Sequence, residues 1–189
     1  MSLELLKKSL LEAPIVKMGE YQYVIHPITD GTSDIRPELL KEVVNEMHNR
    51  IKQCNNVDKI ITIESMGIPL ATALSIKMKI PFVIIRKRSY NLPNEISIKQ
   101  QTGYSKSNLY INGLKKGDSI VIVDDIISTG GTLYSVISSL KKMGVNIKGV
   151  FVLIDKGNAT EKLKYKLDVK IDTLVNIDIV DGKVEIKNF

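Results

Sequence analysis

Two adjacent carboxylates, Asp124 and Asp125, close an apolar run of four residues, Ile120-Val121-Ile122-Val123. The chain then passes through Ile126 and Ile127 into Ser128-Thr129-Gly130-Gly131-Thr132. Carboxylates accept hydrogen bonds from sugar hydroxyls and ligate hard cations. A glycine-containing turn that opens a helix aims several backbone N–H groups at an anion, and the hydroxyls of Ser128, Thr129 and Thr132 add donors. Together these groups suit a phosphorylated sugar. A strand followed by a capped helix explains them poorly, because each glycine costs a helix about 1 kcal/mol relative to Ala and neighbouring carboxylates repel. The chain has neither G-x-x-x-x-G-K-[ST] nor G-x-G-x-x-G after a strand, so P-loop and dinucleotide-binding enzymes lose their main support.

Three other groups of residues could share that chemistry. Glu64-Ser65-Met66-Gly67-Ile68-Pro69 leaves an apolar run and opens a helix, so its N–H groups can bind an anion or form an ordinary βα turn. Arg86-Lys87-Arg88, ahead of Leu92-Pro93, can hold a polyphosphate or simply be solvated. Lys156 stands in the stretch 155–158, and its ammonium is a donor only. His26 and His48 are too few and too isolated for a zinc site, and Cys54 is the sole cysteine, which fits a reducing compartment and no catalytic thiol.

These residues need elements to carry them. Leu3, Leu6 and Leu10 share a helical face that Pro14 ends; a strand follows over 21–25, then a loop through Pro27, Asp30 and Gly31. Asp34 is expected to cap a helix with Pro37 in its first turn and Leu40, Val43, Val44, Met47 and Ile51 on its apolar face. From residue 59 the pattern alternates: strands over 59–63, 82–85, 119–123 and 147–154, with helices over 68–78 and 132–143. Gly144 suits a left-handed helix end, 159–166 a short helix, and Asp181-Gly182 a type I′ hairpin turn. Apolar strands separated by amphipathic helices make an α/β fold with a mainly parallel twisted sheet covered on both faces, here with a small C-terminal β appendage. Ligands of such sheets gather at the carboxyl ends of the strands, where all four groups of residues would meet.

A chain of 189 residues with 43% hydrophobic and 25% charged residues supports one soluble core, read as a single domain over 1–189. No apolar run approaches the ~20 residues needed to cross a bilayer. The first residues, with Glu4 and Lys7-Lys8, do not resemble a secretory signal, so the expected location is cytoplasmic. The net charge of +6 fits nucleic acid or polyphosphate substrates; without long basic runs or Trp, the second is favoured and neither nucleic acid nor membrane is expected as a partner.

The 120–132 stretch resembles the signature of the type I phosphoribosyltransferases, which bind phosphoribosyl diphosphate (PRPP). The resemblance covers nearly the whole chain in order and spacing. It implies that Asp124 and Asp125 hold the ribose hydroxyls, directly or through Mg²⁺, and that Ile127, Ser128, Thr129, Gly130, Gly131 and Thr132 hold the 5′-phosphate. It assigns Ser65, Gly67, Arg86 and Lys87 to the pyrophosphate, with Met66 where the adenine enzymes carry arginine. It also implies a homodimer, since the Arg86–Lys87 region reaches a neighbouring subunit in the family, and a hood formed by 1–35 over the base, in which His26 either touches the base or is a hydrogen-bonded loop residue. The polar stretch 94–112, whose length alone fits a lid, a hairpin or disorder, becomes by the resemblance a mobile loop over PRPP, with Gln101-Thr102-Gly103 where adenine enzymes have an acid. Lys156 matches the position that reads the purine, and a donor suits O6 of hypoxanthine or guanine and opposes the N6 amino group of adenine. The pattern looks most like the archaeal hypoxanthine/guanine phosphoribosyltransferases. The alternatives are an adenine enzyme and a non-catalytic, PRPP-sensing transcriptional regulator.

Overall fold

The computed structural model describes residues 3–19, 21–101, 106–164 and 166–187. A six-stranded sheet organises them. Its strands are β3 (Lys59–Ile63), β4 (Phe82–Ile85), β7 (Ser119–Ile127), β8 (Asn146–Lys156), β9 (Ile171–Val180) and β10 (Lys183–Lys187), in the order β10-β9-β8-β7-β3-β4. Every pairing is parallel except β9 with β10, whose turn at Asp181-Gly182 has both residues at positive φ, as a type I′ turn requires.

Alternation along the strands divides the apolar residues between two cores. On one face, Ile60, Val121, Val123 and Phe151 meet α1 (Glu4–Leu11), α3 (Pro37–Ile51) and α4 (Gly67–Met78). On the other, Ile61, Ile63, Ile120, Ile122 and Val150 meet α5 (Gly131–Lys142) and α6 (Ala159–Lys164). Helices on both faces of a mainly parallel sheet are therefore what the chain forms. Gly144, at φ 74°, ends α5 in the left-handed region.

Several local expectations change. Asp34 does not cap α3: Arg36 occupies that position, extended at φ −63° and ψ 133°, without a side-chain cap. Pro37 forces its predecessor out of the helical region, so the helix begins at the proline and Asp34 lies two residues too early. The buried face of α3 uses Leu39 in place of Leu40, which packs at its margin. The strand at 21–25 is β2 (Tyr21–Val24), and it pairs with β1 (Ile15–Met18), which was not expected. The loop after β2 contains a single helical turn, α2 (Pro27–Asp30). Within 94–112, β5 (Ile96–Gln101) and β6 (Lys106–Ile111) form an antiparallel hairpin, and Ile98, Leu109 and Ile111 are buried in the second core. The arms of this segment are thus packed structure. The expectations for Thr102 and Gly103 lie outside the described residues, as does the side chain of Gln101.

Candidate active site

The sheet reverses direction of growth between β3 and β7. From β3 the chain adds β4 on one side, then crosses back to place β7 on the other and continues outward to β8 and β9. The carboxyl ends at such a reversal diverge into a crevice. Asp124 and Asp125 fall within β7, which runs four residues past the expected end because Ile126 and Ile127 pair with Ile154 and Asp155 of β8. Asp125 looks toward α2 and feels Asp30, while Asp124 stands at the carboxyl end of the sheet between the turn that opens α5 and Gly67 at the start of α4.

Asp124 lines a cavity of about 80 Å³ together with Ile126, Val152 and residues 127–133. The loop expected to take a phosphate therefore surrounds a real concavity beside the first carboxylate. Ile127, which also lines the cavity, is itself buried in the core. Gly130 is at φ 75°, and a Cβ there would stand 2.8 Å from the side chain of Leu163 on α6. Both the dihedral and the close approach require glycine.

The acids are electrostatically strained. Burial raises the carboxyl of Asp124 well above the usual carboxylate range, and the charge of Asp125 raises it further. Asp125 is 9% exposed and is pushed up to about 6 by burial, while its hydrogen bond with Asp124 pulls it down and Asp30 pushes it up again. The nearest cationic relief for Asp124 is the field of Lys87, which lowers its pKa. Two poorly compensated carboxylates favour a proton, a hydroxyl donor or a cation. Among the described residues no cluster of three or more His, Cys, Asp or Glu side chains could hold a metal ion. The donor set fits a Mg²⁺ ion that takes most of its oxygen ligands from a polyphosphate and few from protein.

The remaining loops converge on these acids. Gly67 opens α4 and is buried; a Cβ there would stand 2.8 Å from Asp124 Oδ1 and 3.3 Å from the carbonyl oxygen of Val123. The preceding peptide, Glu64–Ser65, is cis, and Ser65 is exposed. Glu64 Oε2 accepts from the backbone N–H of Lys87 at 3.0 Å and lies 3.3 Å from Nε of Arg86, so it joins the loops after β3 and β4. Arg86 also bridges to Tyr110 of β6 through both backbone groups. Arg86 and Arg88 both donate to the hydroxyl of Tyr90. Lys87 is left exposed, facing the cleft with its charge. Met66 packs on α2: its Cε and Sδ lie 3.1 and 3.2 Å from the position a Cβ would take at Gly31.

The fourth group of residues divides in two. Asp155 is 2% exposed and accepts from the N–H groups of Ala159 and Thr160, so it anchors the start of α6. Lys156 turns the other way, donates to the carbonyl of Gln22 and lies over the ring of Tyr21. His26 is fully buried. Its Nδ1 accepts from Ile28 N–H, and its Nε2 is 2.9 Å from the hydroxyl of Ser9, which itself donates to Leu6 O. That arrangement requires a neutral ring with the proton on Nε2, and it makes His26 a structural link between α1 and α2. Residues 1–35 were expected as a hood, but sequence reading did not pair Asp30 with Asp125, Gly31 with Met66 or Tyr21 with Lys156, because contacts between distant segments leave no local pattern.

A crevice at the reversal point, with paired acids on β7 and an N–H-rich turn beside them, has the donors and acceptors that a phosphorylated sugar would need. The family model for the phosphoribosyl transferase domain matches residues 34–186, and the chain belongs to that family. A relative from Methanothermus fervidus named hypoxanthine/guanine phosphoribosyltransferase is 49% identical over 98% of both chains. One of the same name from Methanocaldococcus infernus is 53% identical over 96% of this chain and 99% of its own. Among solved structures, adenine phosphoribosyltransferase from Thermoanaerobacter pseudethanolicus has a TM-score of 0.76 at 19% identity, covering 93% of this chain and 99% of its own. The Saccharomyces cerevisiae adenine enzyme also has 0.76, at 21% identity, covering 91% and 97%. Likeness at that identity establishes the fold. No helix among the described residues is long and apolar enough to cross a membrane.

Proposed function

We propose that this protein transfers the phosphoribosyl group of PRPP to hypoxanthine, guanine or both, giving IMP or GMP and pyrophosphate in cytoplasmic purine salvage. The observation that carries the reading is the Asp124-Asp125 pair leading into the turn around the adjacent cavity, in a chain about half identical, along nearly its whole length, to relatives bearing that name.

In this reaction a purine ring nitrogen forms a bond to C1 of the ribose while the bond from C1 to the pyrophosphate oxygen breaks, and the electron pair leaves with pyrophosphate. Positive charge develops on the ribose ring, so catalysis consists of positioning, charge stabilisation and exclusion of water. Asp124 and Asp125 accept from the ribose hydroxyls, which fixes the ring and places negative charge near it. Backbone N–H groups of the 127–132 turn, with the hydroxyls of Ser128, Thr129 and Thr132, hold the 5′-phosphate. Ser65, the backbone at Gly67, Arg86 and Lys87 receive the diphosphate. Asp124 and Asp125 would hold a Mg²⁺ ion, which would neutralise part of the leaving group's charge. Lys156 donates to O6 of the base beneath a hood made by the first 35 residues, and the active form is a homodimer.

The test is turnover of PRPP and Mg²⁺ against a panel of free bases. Hypoxanthine and guanine should give nucleotide and pyrophosphate, with adenine far behind. Comparable kcat/KM for adenine would overturn the choice of base. No turnover with any base, together with binding of PRPP, would favour a sensor.

A further inference from the structure

We propose that Thr62 is a positioning residue for phosphoribosyl transfer, its buried hydroxyl holding the Asp124 carboxylate in its working orientation. This role rests on the reading of Asp124 as a ribose-binding group.

Thr62 is fully buried near the end of β3, on a face it shares with Ile60, Val121 and Val123. Its Oγ1 has no hydrogen-bond partner among the described residues. A valine would fill the same space, suit a strand better and leave no polar atom unpaired, so the hydroxyl is costly to the free fold. Groups kept against stability tend to serve the site. The place of this hydroxyl indicates which part of the site.

Thr62 pairs with Val123, so its side chain stands one residue from Asp124 across the β3–β7 seam, where the crevice opens. The Cβ position left empty at Gly67 lies under 3.0 Å from both Thr62 Oγ1 and Asp124 Oδ1. The two oxygens thus flank one gap, and glycine keeps that gap clear. Asp124 Oδ1 already accepts from the N–H of Asp125 at 3.2 Å and has a second lone pair to offer, whereas a threonine hydroxyl brings the donor it needs. A hydrogen bond from the Thr62 hydroxyl across that gap fixes the carboxylate plane, with a backbone N–H on one side and the hydroxyl on the other.

The experiment compares wild-type protein, Thr62→Val and Thr62→Ser for kcat, for KM of PRPP and of hypoxanthine, and for thermal unfolding without substrates. Thr62→Val should melt at or above the wild-type temperature, yet lose about tenfold in kcat with KM for hypoxanthine changed less than about twofold, the signature of misplaced reacting groups. Thr62→Ser should stay within about threefold of wild-type kcat. Wild-type kcat in Thr62→Val, a Thr62→Ser as impaired as Thr62→Val, or a Thr62→Val that melts well below wild type or fails to fold would each overturn the role. A wild-type protein with no transferase activity would overturn the reading of the site itself, and this role with it.

Discussion

The ammonium of Lys156 lies 3.9 Å from the centroid of the Tyr21 ring and donates to the carbonyl of the next residue, Gln22. The end of β8 is therefore tied to the N-terminal hairpin. On the proposed base-reading role of Lys156, a bound oxopurine would compete for that donor, because O6 is an acceptor like the Gln22 carbonyl. Truncation of Lys156 removes a charged hydrogen bond worth about 1.5–3 kcal/mol, or roughly tenfold to a hundredfold in affinity. Lys156→Ala should raise KM for hypoxanthine and guanine by that range while KM for PRPP stays within about twofold. Equal losses for PRPP and base would place Lys156 outside the base site.

Gly67 is the tightest point of the crevice. A side chain there must displace the Thr62 hydroxyl, Asp124 Oδ1 and the Val123 carbonyl together, two of which belong to the packed β7 seam. Gly67→Ala should cost about 1–3 kcal/mol from overpacking and remove most transferase activity even in the folded fraction. Differential scanning calorimetry and initial rates on the same preparation check both. A variant with wild-type melting temperature and rate would show that the crevice relaxes freely.

Much of this was legible before the structure, for physical reasons that differ by element. Strands 59–63 and 82–85 are short, mainly apolar runs, the first almost wholly buried, and the helix over 132–143 has strong amphipathic spacing, so local pattern sufficed. The β1 strand did not announce itself, because Val16, Lys17 and Met18 are all exposed and no alternation survives. Ile96-Ser97-Ile98-Lys99 and Asn108-Leu109-Tyr110-Ile111 do alternate, but with only two aliphatic residues in each arm the hairpin stayed one of several readings of a long polar stretch. At the site, the acids and the glycine turn are contiguous and hence readable. The approaches of Asp30 to Asp125, Met66 to Gly31 and Lys156 to Tyr21 join distant segments, and only the fold could reveal them.

Substrate binding should be visible without turnover. Filling the crevice relieves the repulsion of the paired acids, and a ligand that binds only the native state stabilises it by about 2.7 kcal/mol at 100 times its Kd. PRPP with Mg²⁺ should raise the melting temperature. Chelation should abolish both that shift and activity, and Asp124→Asn or Asp125→Asn should each sharply reduce turnover with unchanged circular dichroism. Saturating PRPP that leaves the melting curve in place would contradict the ribose assignment.

Two buried groups should tilt stability in opposite directions over nearly the same pH range. His26 is lowered from 6.5 to about 4, mainly by burial. Between those values the unfolded chain binds a proton that the native state refuses, so this contribution is present above pH 6.5 and is lost as pH falls toward 4. Asp125 is raised from 3.8 to about 6, also by burial, so the native state holds a proton that the unfolded chain has released. Its contribution is present below pH 3.8 and is lost as pH rises through 6, and Asp124 acts in the same direction. At 1.36 kcal/mol per pKa unit the shifts of His26 and Asp125 each correspond to roughly 3 kcal/mol, so those two nearly cancel and Asp124 decides the sign. The wild-type protein should lose stability as pH rises from 4 to 6.5, while the variants separate the effects. Asp125→Asn should become more stable than wild type at pH 7, with the difference growing as pH rises across the window. His26→Gln should be less stable at pH 7 and lose further stability over the same rise. Urea midpoints at half-unit pH steps decide it, and profiles of both variants parallel to wild type would show that neither group titrates with the shift its burial implies.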